Sequence, residues 1–315
     1  MSVENKKLAV CIGGPTGVGK TKLSVFLAQK YNIPILSADS RQIYKELNIG
    51  SGKPSISEMQ GVPHYFISSS SVYKPISTGK FETQAIAWLD SYFKDNQLII
   101  ICGGTGLYHR AICRGLDKFP KVIPGVREQL QKELEKKGLQ FLLAELQEQD
   151  PEYYAEVDRQ NPRRITRALE VIRSSHQKFS AFRKQKPKKR SFECLQIFLS
   201  DERKALYDRI NSRVDQMLED GLEEEARVLS AYRDLPSLRT VGYQEFFDYF
   251  DGTIDYEEAV RLIKRNSRRY AKRQLTWYRN QGWLEFDFND WKFIEEWLED
   301  QLKKRGINIK SGQNG

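Results

Sequence analysis

Eight consecutive residues, Gly14, Pro15, Thr16, Gly17, Val18, Gly19, Lys20 and Thr21, bring together the groups that hold a chain of phosphates. The glycines let the backbone fold into a nest of inward N–H groups, Lys20 supplies a positive charge, and the Thr21 hydroxyl is a ligand for Mg²⁺. An apolar run, 8–12, precedes the loop, and helical spacing through Leu23, Phe26 and Leu27 follows it. The positive end of a helix dipole therefore adds to the site. The pattern G-x-x-x-x-G-K-[ST] specifies phosphate and not the compound that carries it, and ATP is the common occupant. In ATP-hydrolysing proteins a buried strand elsewhere ends in an aspartate that holds the metal. The corresponding run here, Leu98–Cys102, ends in Gly103-Gly104-Thr105-Gly106 with no acid. That ending disfavours a motor or a hydrolytic switch.

The stretch Ser37-Ala-Asp-Ser-Arg-Gln-Ile-Tyr44 follows a second strand-like segment, 33–37. The carboxyl ends of parallel strands share one edge, where ligands bind, so Asp39 is expected in the same crevice as Lys20. Asp39 there is either a general base, kept close to an electrophile by the bound phosphates, or a helix N-cap, a role open also to Ser40. Thr105 has the same two readings, a hydrogen bond to a ligand oxygen or a cap for the helix 107–113. Farther along, Arg261, Lys264, Arg265, Arg268, Arg269, Lys272, Arg273 and Arg279 fall between Ala259 and Arg279 with no acid among them. Ala259, Ile263, Tyr270, Gln274 and Trp277 lie near one face of that helix. A helix of one sign repels itself unless a polyanion or acidic segments elsewhere compensate it, and nucleic-acid backbone is the natural polyanion. Tyr270, Trp277 and Tyr278 are candidates for stacking on bases, with core packing expected for two of them. A second basic cluster is Asn161-Pro-Arg-Arg-Ile-Thr-Arg167. His64, His109 and His176 show no ligand spacing and read as structural.

These groups need a scaffold. The first third of the chain alternates strand and helix signals: strands at 8–12, 33–37 and 98–102, helices at 21–31 and 81–93. This predicts an α/β fold, a P-loop NTPase-like parallel sheet with helices on both faces. The texture becomes charged and helical after Pro120, with helices at 126–149 and 162–174. The basic stretch 183–190, with Lys184, Lys186, Lys188 and Lys189 around Pro187, reads as a linker. A strand returns at 194–199, and the remainder reads as helices at 201–218, 222–232, 256–281 and 290–304. The expected organisation is a catalytic core of 1–120 and 191–315, interrupted by a helical insertion, 121–190. The last residues, 311–315, are expected to be disordered.

The chain has 315 residues, 39% hydrophobic and 30% charged, with a net charge of +9. That is enough apolar material for a core, and no apolar run approaches the roughly 20 residues of a spanning helix. The segment 1–7 runs straight into the first strand and leaves no room for a signal peptide. Cys11, Cys102, Cys113 and Cys194 form no C-x-x-C pair, so buried reduced thiols in a cytoplasmic protein are expected and a zinc site is not.

The motifs together resemble one family, the tRNA dimethylallyltransferases (isopentenyl-diphosphate:tRNA transferases), of bacterial type. The resemblance spans nearly the whole chain. Beside the phosphate loop and Asp39-Ser-Arg-Gln-Ile-Tyr44 it rests on Ile49-Gly-Ser-Gly-Lys-Pro54, Val62-Pro-His64 and Gly103-Gly-Thr-Gly-Leu-Tyr108. It continues through Asn161-Pro-Arg-Arg-Ile-Thr-Arg-Ala-Leu-Glu170, Pro236-Ser-Leu-Arg-Thr-Val-Gly-Tyr243 and Lys272-Arg-Gln-Leu-Thr-Trp277. The loop alone is generic; the ordered set is specific.

The resemblance implies transfer of a dimethylallyl group from dimethylallyl diphosphate to N6 of the adenosine just 3′ of the tRNA anticodon. The phosphate loop would then hold the allylic diphosphate, in keeping with the missing acid after Cys102. By the same resemblance Asp39 is the general base and Thr105 positions the reacting groups, while Arg239, Lys20 and Mg²⁺ at Thr21 bind the departing diphosphate. It further implies tRNA contacts at Asp39, Ser40, Arg41, Gln42 and Thr105. Others fall at Arg127, Arg163, Arg164, Thr166 and Arg167 of the insertion, and at Arg239, Thr240, Val241, Gly242, Tyr243 and Gln244. A last set lies at Lys272, Arg273, Gln274, Thr276, Trp277 and Arg279. A monomer acting on one tRNA, without a membrane, is the simplest expectation. The sequence departs from the family in the serines 68–71, in Arg41 where smaller residues are common, and in lacking the C-terminal zinc finger of eukaryotic members. Two other expectations compete: a nucleoside or metabolite kinase with Asp39 deprotonating a hydroxyl, and a non-catalytic RNA-binding protein.

Overall fold

A computed structural model describes residues 6–183 and 187–307. The linker lysines Lys184 and Lys186, most of the segment 1–7 and the end 311–315 lie outside the described residues. The first stretch runs β1 Leu8–Gly13, α1 Lys20–Tyr31, β2 Ile35–Ser37, α2 Ile56–Met59, β3 His64–Tyr65, α3 Thr78–Tyr92, β4 Leu98–Cys102 and α4 Gly106–Arg114. Four helices follow, α5 Val126–Gln149, α6 Pro151–Glu156, α7 Pro162–Ser175 and α8 Phe179–Phe182. The last stretch is β5 Glu193–Ser200, α9 Arg203–Glu219, α10 Leu222–Leu229, a 3-10 turn Ser230–Tyr232, α11 Tyr243–Phe250, α12 Tyr256–Asn280, β6 Leu284–Asp287 and α13 Trp291–Lys304.

The strands form one sheet in the order β3-β2-β4-β1-β5-β6, and every pairing is parallel. The expected α/β class with helices on both faces is the one observed. β1 is central, with Leu8 to Ile12 in register with Leu98 to Cys102 on one side and Glu193 to Ile197 on the other. Its side chains alternate between two cores: Ala9 and Cys11 pack with Ile99 and Ile101, whereas Leu8, Val10 and Ile12 pack with Leu98 and Ile100. Both faces are covered, which is why these strands read as continuous apolar runs. The phosphate loop, the turn after β2 and the turn after β4 all leave the carboxyl edge of this sheet.

Several elements differ from the sequence reading. The second strand begins at Ile35 rather than 33. β3 and β6 were not expected; both are edge strands, short and partly exposed, so neither carries a strong apolar signal. The helix expected over 222–232 stops at Leu229 and tightens into the 3-10 turn. The single helix expected over 126–149 is broken at Gly138, whose φ of +78° is not helical. α11 was unread: Gly242 at φ +97° starts it, and its N–H donates to Glu245 Oε2 at 2.8 Å. No helix among the described residues is long and apolar enough to cross a membrane.

The chain divides into two compact units, Met1–Arg114 with Lys189–Gly315, and Gly115–Lys188. The second unit has its own core, in which Leu130, Leu142 and Leu146 of α5 meet Ile165, Leu169 and Ile172 of α7. Asp150 is fully buried there and accepts from Tyr153 N at 3.1 Å, Ser180 N at 2.8 Å and Ser180 Oγ at 2.9 Å. It thereby ties α6 to α8.

Candidate active site

The phosphate loop turns from β1 into α1 through Gly19, whose φ of +97° is in the left-handed region that glycine adopts without strain. Lys20 folds back so that its Nζ donates to the Pro15 carbonyl at 2.7 Å. Burial lowers the Lys20 pKa to about 8; the nearby Asp39 charge opposes the shift and that of Arg213 adds to it. Thr21 is half-buried in the first turn of α1.

Asp39 divides its two oxygens. Oδ1 accepts from Arg41 N at 2.9 Å and from Gln42 N at 3.3 Å, which holds the turn that follows β2. No α-helix starts there, so the capping role exists for a turn and not for a helix. Oδ2 has no hydrogen-bond partner among the described residues. A Cβ built on Gly104 would lie 3.4 Å from Oδ2 and 2.5 Å from Gln274 Nε2. The glycine after β4 therefore leaves open the space beside the carboxylate and the amide. Thr105 stitches the two turns together, its Oγ1 accepting from Ser40 N at 2.9 Å and donating to Ser40 Oγ at 3.1 Å. Burial of its hydroxyl, with the nearby Asp39 charge, raises the Tyr270 pKa to about 12.

α12 braces this edge from outside the sheet. Gln274 is buried; its Oε1 accepts from Thr16 N at 3.0 Å and its Nε2 donates to the Gly104 carbonyl at 2.8 Å. One side chain thus fixes the phosphate loop against the turn after β4. One turn later Tyr278, fully buried, donates to the Gly103 carbonyl at 3.1 Å, and Trp277 covers Gly106.

Arg213 of α9 is a candidate site residue that the sequence did not point to. Its guanidinium donates to the Gly52 carbonyl at 2.8 Å, the same oxygen that receives Gln42 Nε2 at 2.9 Å. Burial lowers its pKa, and Asp39 is one of the charges that counter this. Lys20, Arg213 and Asp39 therefore feel one another at the sheet edge. The loop 48–52 that presents Gly52 is itself held by Glu225, which accepts from Asn48 N at 2.9 Å, Ile49 N at 3.0 Å and Gly50 N at 3.0 Å.

The other expected site residues are spread more widely. Arg41 donates to the Ser237 carbonyl at 2.9 Å and, with Ser40, Tyr44, Thr105, Tyr108 and Ser237, lines a cleft of about 260 Å³. Arg239 is exposed, as is Gln244, while Thr240 and Val241 are half-buried. Tyr243 is fully buried, and its hydroxyl donates to Glu225 Oε1 at 2.6 Å. On α12, Lys272, Arg273 and Thr276 are exposed, whereas Arg279 pairs with Glu285 at 2.6 Å. In the second unit Arg163 and Arg164 are exposed at the start of α7, and Thr166 Oγ1 donates back to the Pro162 carbonyl at 2.9 Å. Arg127 and Arg167 instead converge on buried Glu170 at 2.6 and 3.0 Å. Of the aromatic candidates for base stacking, Tyr278 is core, Trp277 is half-buried and Tyr270 is 36% exposed.

A phosphate loop at the carboxyl edge of a parallel sheet, faced by a carboxylate and two cationic side chains, defines a phosphate-loop α/β protein equipped for group transfer. The family described as IPP transferase matches residues 42–281. The tRNA dimethylallyltransferase of Cytophaga hutchinsonii is 48% identical over 278 residues, 88% of this chain and 91% of that protein. The tRNA dimethylallyltransferase of Christiangramia forsetii is 44% identical, covering 92% and 96%. Among solved structures, the full-length tRNA isopentenylpyrophosphate transferase of Bacillus halodurans superposes with a TM-score of 0.71 at 36% identity, covering 96% of this chain and 98% of that one. The chain belongs to the IPP transferase family, the tRNA dimethylallyltransferases. That membership does not favour the competing expectation of a nucleoside or metabolite kinase.

Proposed function

We propose that this protein transfers a dimethylallyl group from dimethylallyl diphosphate to N6 of adenosine 37, just 3′ of the tRNA anticodon, and releases diphosphate. The observation that carries the reading is the unbonded Oδ2 of Asp39, held beside Lys20 and Arg213 at the phosphate loop. In the step itself the bond from the allylic carbon to the diphosphate oxygen breaks and a bond from N6 to that carbon forms. The N6 proton passes to Asp39 Oδ2. An exocyclic adenine amine is a poor nucleophile, so base assistance and tight positioning are both required. Negative charge develops on the leaving diphosphate, where Lys20, Arg213 and the loop N–H groups supply fixed positive charge.

Thr21 and Asp39 offer hard oxygen donors suited to Mg²⁺, with Thr21 as the protein ligand in our assignment. The ion, when bound, neutralises charge on the diphosphate. Arg239, exposed on the loop before α11, is assigned both to the departing diphosphate and to tRNA, and Arg163, Arg164, Lys272 and Arg273 are assigned to the RNA side. The unit 115–188 is read as a tRNA-binding insertion, and a single chain working in the cytoplasm as the acting form.

The test is incubation with dimethylallyl diphosphate and unmodified tRNA, followed by mass analysis of the nucleosides. A gain of one dimethylallyl unit on adenosine 37 is expected, and an unmodified adenosine would refute the reading. Asp39→Ala is expected to lower turnover by about 10²-fold or more while sparing tRNA affinity. Unchanged turnover would remove Asp39 as the base.

A further inference from the structure

Three of the four cysteines meet beneath the phosphate-loop strand. Cys11 on β1, Cys113 in the last turn of α4 and Cys194 on β5 have sulfur atoms that all lie within 4.8 Å of one another. The Cys11 and Cys113 sulfurs are 3.5 Å apart, and all of the cysteines are free thiols. Nothing in the transfer step uses them. Three thiolates on one zinc-sized ion, at about 2.3 Å each, stand about 3.8–4.0 Å from one another, a spacing that this cluster brackets without rearrangement of the backbone. Cys11 is fully buried, but Cys113 and Cys194 are half-buried and leave a way in.

The surroundings favour a cation. Three sulfurs are soft ligands that select a thiophilic metal, and Cys113 brings one of them from the last turn of α4. One helical turn before it, His109 is fully buried, with Nε2 3.1 Å from the Gly103 carbonyl. Burial lowers its pKa to about 4, so the ring is neutral and Nε2–H is the donor to that carbonyl. The Nδ1 lone pair is left buried with no partner.

We propose that Cys11, Cys113 and Cys194 form a three-sulfur site for one thiophilic d¹⁰ dication of the zinc type. Binding forms three metal–sulfur bonds and releases the thiol protons to solvent, with no change of oxidation state. The ion would join β1, β5 and α4, and so clamp the strand that enters the phosphate loop to the helix that follows Thr105.

The test uses the reduced full chain and Co²⁺ as the optical probe, with Zn²⁺ as competitor. One equivalent of Co²⁺ is expected to give a sulfur-to-metal charge-transfer band, which one equivalent of Zn²⁺ abolishes while raising the melting midpoint. Cys113→Ser and Cys194→Ser, each checked for native circular dichroism, are expected to weaken binding at least about tenfold. Cys194 lies at the half-buried rim and provides the second variant if Cys113→Ser misfolds. Cys102→Ser, outside the cluster, keeps the band. Absence of the band in the unmodified protein, its survival in both cluster variants, or its loss in Cys102→Ser would each overturn the site.

Discussion

Lys20 is half-buried with its Nζ on the Pro15 carbonyl, and desolvation lowers its pKa to about 8. In the ligand-free protein the amine is charged below that pH and neutral above it. A diphosphate binds the charged form, so its affinity is expected to fall as pH rises through about 8, and binding near and above that pH takes up a proton. Stability moves the other way: the cost of burying a charged amine is present below about 8 and is relieved as pH climbs toward the unfolded value of 10.5. Calorimetric titration of pyrophosphate at pH 8.5 (about half a unit above that pKa) in two buffers of different ionisation heat measures the uptake. Equal heats in both buffers would show that Lys20 does not titrate on binding. Asp39 and Lys20 were legible because each sits in a short motif at a strand end. Arg213 was not: on α9 it looks like one more cation of an amphipathic helix, and only folding brings it to Gly52 and Asp39.

At the scale of elements, α12 shows how far charge counting reaches. Its bounds were legible to within a residue, and so was the acid-free run of cations from Ala259 to Arg279. What sequence could not give was which cations are already engaged. Arg261 pairs with Glu258, Lys264 with Asp215 on α9, and Arg279 with Glu285 on β6; Arg268 donates to Asn211 Oδ1 at 2.6 Å. One of these acids, Asp215, comes from an element distant along the chain. The internally paired reading therefore holds for part of the helix, and Arg269, Lys272 and Arg273 form the exposed remainder. Lys272→Glu is expected to weaken tRNA binding and to lower the slope of log affinity against log salt by about 1, while Arg261→Glu leaves the slope nearly unchanged. Binding isotherms over a salt series decide this, and equal slopes for both variants would contradict the assignment. β3, β6 and α11 escaped the sequence reading for a common reason: each is too short for its periodicity to be distinguished from a loop.

For the molecule as a whole, the apolar residues sort into two cores on the faces of the sheet and a separate one within 115–188. A unit with its own core opens as its own cooperative step. Hydrogen exchange under increasing denaturant is expected to release the amides of 115–188 together, at a different midpoint from the rest. Glu170→Gln, which leaves Arg127 and Arg167 without their buried partner, is expected to cost about 1–2 kcal/mol in that step alone. A single shared midpoint for all amides would show the division to be geometric only.

Gln274 bears on how this protein can drift. Both of its partners are backbone groups, the Thr16 N–H and the Gly104 carbonyl, so the brace does not depend on which side chain stands at 16. Position 274 must supply a donor and an acceptor at one reach: glutamate offers only acceptors, and asparagine is a methylene short. The link between loop and helix is thereby written in a single codon. A change there has no compensating change elsewhere, because a main-chain partner has nothing to mutate.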